Sequence, residues 1–423
     1  MSATNSERVD VKAKEQEAAF GSRILELSDH LAQWSETPRG LTCTYLSPAH
    51  RAVAIEIAAL MKKAGLETQI DAVCNVVGRY RSNNDRARTV IVGSHYDTVS
   101  NAGKYDGRLG IVTALAVVEH FARVNRTLPF HLDIIAFSEE EGVRFSASYI
   151  GSSAIAGRFD PAFLDRRDAN GIALADALRE ANFDLTAIPA LARCKADISA
   201  YLEVHIEQGP VLLESDLPVG IVTAIAGNSR FSATINGVAG HAGTVPMAYR
   251  HDAATAAAEI VLCVERRCSS TGLVGTVGRL SVSAGAINVV PGRCELSLDI
   301  RSGNDALRQA AVNDLFADIQ DIAKRRGVTI KTTELLDAAA VPCSPRLQEI
   351  FAKSIERVGL PVFRLPSGAG HDAVMFSGLT DVAMLFVRCG NGGVSHSPLE
   401  TITAADADFA ARILLDVLEK LPP

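Results

Sequence analysis

Residues 93–110 read GSHYDTVSNAGKYDGRLG, directly after the apolar run Val90-Ile91-Val92 and directly before a segment, 111–124, whose apolar residues recur with a helical period. A short unbroken apolar run closed by glycine reads as a buried strand, and the segment behind it as a helix. His95, Asp97 and Asp106 are therefore expected in a glycine-rich loop at the carboxyl end of a core strand, where open α/β sheets bind ligands. His95 and Asp106 are ligand types that a Zn or Mn site uses, and Asp97 is placed to orient the His95 imidazole. The plain alternative is a polar turn with incidental acids.

Working outward, three further strand ends carry the same kind of residue. An apolar run at 130–137 (FHLDIIAF) ends in Ser138-Glu139-Glu140-Glu141-Gly142. Adjacent carboxylates are usually a solvated turn, but neighbouring acids at a strand end can also divide the labour of metal binding and proton transfer. In YLEVHIEQG (201–209) the two-residue period sets Leu202, Val204 and Ile206 on one face and Glu203, His205 and Glu207 on the other. The run 382–387 leads into GNGGVSHSP (390–398), which supplies His396. Two histidines, an aspartate, a glutamate and one more histidine suit a pair of metal ions sharing a carboxylate.

Between His205 and His396 the pattern changes. Strands are expected at 221–226, 231–236, 275–284, 293–299 and 329–333, with helices at 252–267 and 306–326, then a return linker at 335–341. That succession suggests an inserted α/β sandwich of the ferredoxin-like kind. Ser47 and Pro48 read as the cap and first residue of a helix closed by Gly65, residues 67–80 as a hairpin, 404–421 as a last helix, and 1–20 as a polar lead-in.

Composition excludes several classes. The chain has 423 residues, 48% hydrophobic and 22% charged, and a net charge of -7, so it is globular and lacks the basic stripe that nucleic acid requires. Its eight cysteines form no C-x-x-C pair and read as buried small hydrophobes. No segment has the length of a membrane span and no secretory leader is evident, so a cytoplasmic protein without a membrane partner is expected.

Taken together, GSHYDTV, NAGKYDG, EEEGVRF, EVHIEQG, GHAGTVPM, INVVPG with Arg301, SGAGHDA and GGVSHSP run in order from residue 93 to 398. In this the chain resembles the amidase, hydantoinase/carbamoylase family of the dinuclear-metal aminoacylase and carboxypeptidase superfamily. The resemblance implies an α/β fold. A discontinuous catalytic domain (1–218 and 335–423), with a mixed sheet flanked by helices, would carry an inserted ferredoxin-like lid and dimerisation domain (219–334). It also implies two divalent metal ions, Zn or Mn with Co or Ni as alternatives, held by His95, Asp106, Glu141, His205 and His396, with Asp106 bridging. Glu140 would be the general base. His241, reaching across a dimer interface, would stabilise the oxyanion, and Gln208, Asn288, Arg301 and His371 would hold a small carboxylate substrate. The implied reaction is hydrolysis of a ureido C–N bond, as in allantoate or an N-carbamoyl-L-amino acid. The tracts 227–231 and 40–48 look more like the allantoate enzymes, although the arginine expected to contact substrate at 229 is a serine here, with Arg230 next to it. A dipeptidase or aminoacylase of the same superfamily would share the metal ligands but not the EEEGVRF and EVHIEQG forms. A non-catalytic binding protein on the fold would be expected to have lost Glu140 or a ligand.

Overall fold

The computed structural model describes residues 19–283 and 285–422. Most of the expected lead-in at 1–20 lies outside them. The described chain separates into two compact units, one of residues 19–222, 343–365 and 371–422, the other of the described residues of 223–342 and 366–370.

The first unit is built on β1 (Glu67–Ile70), β2 (Val76–Tyr80), β3 (Thr89–His95), β4 (His131–Phe137) and β5 (Ile198–Ile206), followed by β6 (Val219–Ile225). Residues 67–80 form the antiparallel hairpin read from their alternation. Strands β3, β4 and β5 are parallel, and β16 (Val382–Val387) extends this parallel core beyond β5. Strands β2 and β6 flank the core antiparallel, so the sheet is mixed. From β3 the chain crosses to β4 on one side and later returns to β5 on the other. That is the topology at which open sheets form a crevice outside their carboxyl ends. The register aligns His95 with Phe137 and His205 with Phe386, so the four loops that follow emerge along one edge.

Helices Ala19–Leu31, Arg108–Arg123 and Ala404–Lys420 pack against one another over this sheet. Leu202, Val204 and Ile206 join their hydrophobic cluster. Helix Pro48–Lys63 starts as its sequence specifies, with the Ser47 side chain accepting from the His50 amide and Pro48 at the first position. The opposite face of β5 is a correction to the expected polar face. Glu203 and His205 are fully buried, because Tyr201 stacks on Phe376 at 4.2 Å and the short helix Ala373–Phe376 covers them.

The second unit holds β7 (Gly227–Asn236), β8 (Gly240–His241), β9 (Val274–Thr276), β10 (Leu280–Val282), β11 (Val289–Val290), β12 (Arg293–Ser302) and β13 (Thr329–Ala338). Its helices are Ala253–Cys268 and Arg-rich-ended Asp305–Arg326. The sheet order is β10-β12-β7-β13, all antiparallel, and both helices share one hydrophobic cluster with it. Two expectations change. The single strand at 275–284 is two pieces beside β12, interrupted where the Arg279 amide bonds to Ser297 Oγ instead of the ladder. The stretch 335–341 is no linker. Strand β13 keeps pairing with β7 through a bulge at Glu334/Leu336, because β7 still offers free backbone as far as Asn228, and β14 (Val341–Pro342) follows. Among the described residues, no helix is long and apolar enough to cross a membrane.

Candidate metal centre

Asp106 lies at the middle of the site. Its Oδ1 is 3.5 Å from His95 Nε2 and 3.2 Å from His205 Nε2, and its Oδ2 is 3.1 Å from His396 Nε2. His396 Nε2 is also 3.5 Å from Glu141 Oε1. His95 and His205 are each aimed by their own strand end. His205 Nδ1 lies 2.8 Å from the Ile206 carbonyl, and His95 Nδ1 lies 3.2 Å from the Asp97 carbonyl and 3.4 Å from Asp97 Oδ1. Those acceptors each engage Nδ1 and so turn Nε2 toward Asp106, as second partners do around metal-binding histidines. Gly107, at φ +66°, is required here, since a Cβ would come within 2.5 Å of the His95 ring.

The acidic turn is held by the same aspartate. Asp97 Oδ1 accepts from the Glu140 amide (3.1 Å) and Oδ2 from the Glu141 amide (3.2 Å). From behind, His50 Nε2 lies 2.6 Å from the Ser138 carbonyl, and Asn75 Oδ1 accepts from the Ser138 amide at 3.0 Å.

Electrostatics follow from crowding in a buried place. Burial works to raise the Asp106 carboxyl, but hydrogen bonds from His205, His396 and His95 outweigh it and hold the group well below the usual carboxylate range. Burial would lower His95, yet Asp106 and Asp97 carry it well above an ordinary imidazole. The Asp106 hydrogen bond lifts His396 to about 9. Burial, more than the neighbouring charges, pushes Glu140 well up and Glu141 up to about 7. An ionised carboxylate ringed by imidazoles, with two further acids alongside, is the donor chemistry of a divalent-cation site. The sets His95–Asp106–His205 and Asp106–Glu141–His396 each bring ligand atoms within 4.8 Å of one another, and so does His95–Glu140–Glu141.

The sequence and fold agree with known proteins. The sequence model of peptidase family M20/M25/M40 matches residues 91–420. An N-carbamoyl-L-amino acid amidohydrolase of Geobacillus stearothermophilus is 39% identical, over 95% of this chain and 98% of its own length. The chain belongs to the hydantoinase/carbamoylase amidases of that family. An allantoate deiminase of Arabidopsis thaliana is 38% identical over 92% of this chain and 80% of its own length. The crystal structure of a hydantoinase/carbamoylase family amidase from Burkholderia multivorans superposes with a TM-score of 0.88 at 28% identity, covering 94% of this chain and 97% of that one.

The remaining residues singled out in this amidohydrolase fall into two groups. In the first unit, Gln208 takes a left-handed backbone (φ +58°), and its Nε2 donates to Asp106 Oδ2 at 2.9 Å and lies 3.4 Å from His396 Nε2. His371 is buried with its ring 4.5 Å from that of His205, and burial drives it well below an ordinary imidazole. In the second unit, the β8–β11 ladder sets His241 opposite Val289, beside Asn288, and both His241 and Asn288 are exposed. Arg301 grips Asp299 through Nε (2.8 Å) and Nη2 (3.0 Å) and donates from Nη1 to the Gly368 carbonyl. Arg230 donates to the same Asp299 at 3.0 Å, whereas Ser229 faces the other way, bonding Asp337. Arg230, Asp299 and Arg301 line one cavity of about 420 Å³.

Sequence reasoning missed several residues. Glu139 is fully buried, with no hydrogen-bond partner for either oxygen among the described residues, although it reads as one more acid of a polar turn. Ser138, which His50 and Asn75 hold, and Asp106, which Ser395 and Glu400 hold, are distant from them in sequence, so no local pattern marks these contacts. The second role of Asp97, on the acidic turn, depends on β3 and β4 being neighbours.

Proposed function

We propose that this amidohydrolase is a dinuclear metal enzyme that cleaves the ureido C–N bond of a small carboxylate. The observation that carries the reading is the division of the Asp106 carboxylate, one oxygen toward His95 and His205 and the other toward His396 beside Glu141. His95 and His205 would hold one ion, Glu141 and His396 the other, and Asp106 would bridge them, with Zn or Mn the native pair and Co or Ni as substitutes. When bound, such a pair supplies a hydroxide nucleophile near neutral pH and polarises the carbonyl oxygen.

The chain's own groups do the rest. Glu140 takes the proton of the attacking water and returns it to the leaving nitrogen, a task its burial-raised affinity for protons favours. Arg301 takes the substrate carboxylate, the geometry a guanidinium fork suits best. Gln208, Asn288 and His371 orient the substrate. His241, supplied by the partner of a homodimer, donates to the developing oxyanion, a contribution commonly worth ~3 kcal/mol. Loss of ammonia leaves a carbamate, which decomposes to carbon dioxide and the amine. Dimerisation through the second unit is supported by the exposed Val274, Leu280 and Val282 on its edge strands, since an apolar edge invites pairing. A reducing, cytoplasmic setting is supported by eight free thiols.

Allantoate ranks ahead of N-carbamoyl-L-amino acids. Arg230 shares Asp299 with Arg301, and a second guanidinium suits a substrate whose second ureido group offers another carbonyl acceptor. The test is a panel of allantoate, N-carbamoyl-L-amino acids and N-acyl-L-amino acids with added Mn or Zn, following ammonia and free amine. Ammonia from ureido acids is expected, fastest from allantoate. Amine release from N-acyl amino acids, with no ammonia from any ureido acid, would overturn the proposal in favour of an aminoacylase.

A further inference from the structure

The bridging role of Asp106 requires its carboxylate to face two directions at once, yet Asp106 sits in a loop without regular structure between β3 and the helix Arg108–Arg123. The Arg108 amide, at the start of that helix, donates to the Asp106 carbonyl (2.7 Å), which ties the backbone but does not set the direction of the carboxylate. Besides the Gln208 side chain at Oδ2, a further hold comes from the far end of the chain. Glu400 is buried, and its Oε1 accepts from the amides of Tyr105 (2.8 Å) and Asp106 (3.2 Å). The Ser395 hydroxyl lies 2.8 Å from Asp106 Oδ2 and 3.1 Å from Glu400 Oε2. The loop makes room for this carboxylate: at Gly103 a Cβ would come within 2.3 Å of the Glu400 carboxyl carbon. Glu400 and His396 also travel together. The Gly390 amide bonds the Thr401 carbonyl (2.7 Å), the Asn391 side chain bonds the Leu399 carbonyl (2.6 Å), and the Glu400 amide bonds the Ser397 carbonyl (3.1 Å), which closes the segment carrying both.

We propose that Glu400 is a positioning residue that sets the bridging geometry of Asp106, directly through its backbone and through Ser395 at Oδ2. The proposal rests on the metal-centre reading above. Partners of metal-binding carboxylates are typically worth about 10–100-fold in metal affinity. A side chain that only pinned one loop to another would lower thermal stability and leave metal affinity alone.

The experiment uses the full chain, stripped with a chelator and titrated with Mn or Zn by calorimetry and by competition with a chelating indicator. Glu400→Ala is expected to weaken metal uptake about 10–100-fold, and Ser395→Ala to weaken it less. Glu400→Gln, whose amide oxygen can still accept from both backbone N–H groups, is expected to recover much of the loss. Should Glu400→Ala fail to fold, Ser395→Ala decides, since it removes only a hydroxyl. Two ions bound at wild-type affinity in the variants would overturn the positioning role and leave the metal centre standing. A wild-type chain that takes up no divalent ion would instead overturn the centre, and the role of Glu400 with it.

Discussion

Replacing Glu140 by glutamine tests the base with the least disturbance elsewhere. The amide side chain has nearly the same volume, and the turn keeps its anchors because Asp97 binds the backbone amides of residues 140 and 141 rather than their side chains. What is lost is the ability to take a proton. In the metal-free chain burial holds the Glu140 carboxyl well above its ordinary value. A positioned general base is worth about 10²–10⁴-fold in rate. We expect kcat to fall about a thousandfold, which is ~4 kcal/mol at 1.36 kcal/mol per factor of ten. KM should change little and the metal content not at all. The assay is ammonia release at saturating substrate, with metal analysis of the same preparation. Turnover within about tenfold of wild type, with both ions present, would remove Glu140 from the base role, since that lies below the range for such a group. Loss of an ion would instead make Glu140 a ligand, as the His95–Glu140–Glu141 grouping would allow.

Two further outcomes follow from the same geometry. Arg301→Ala should raise KM for carboxylate substrates about 10–100-fold, by loss of a charge-assisted pair worth about 1.5–3 kcal/mol, with a smaller change in kcat; unchanged kinetics would place the anion elsewhere. In the metal-free protein, Glu141 (about 7) and His396 (about 9) both hold protons more tightly than when unfolded. Each therefore makes the folded state less stable as pH rises, Glu141 from its ordinary value of 4.5 up to about 7 and His396 from 6.5 up to about 9. Metal uptake displaces those protons, so affinity should climb with pH through this range and binding should release protons, read as a dependence of the calorimetric heat on buffer. Affinity that stays flat between pH 6 and 9 would refute the ligand roles of both.

The sequence by itself determined the strands that carry the site, and for a physical reason. Short apolar runs near glycine state locally where a strand lies, and β3, β4, β5 and β16 stand where those runs put them. Helix caps such as Ser47-Pro48 are likewise local and were legible. Periodicity also marked a change of pattern between His205 and His396. What it missed was continuity along β13 and the break between β9 and β10, where pairing to β7 and β12 overrides local pattern.

Only the tertiary structure decided which oxygen of Asp106 faces which histidine, because that depends on parallel strands distant in sequence placing their ends along one edge. It also decided that the Glu203–His205 face of β5 is interior, since Phe376 comes from beyond residue 370 to cover it. Arg230 rather than Ser229 shares a face with Arg301 because alternation along β7 turns neighbours to opposite sides. The supports at His50, Asn75 and Glu400 have no local signature. Each of these buried hydrogen bonds is specified by two residues at once, and here the second lies far away in the chain.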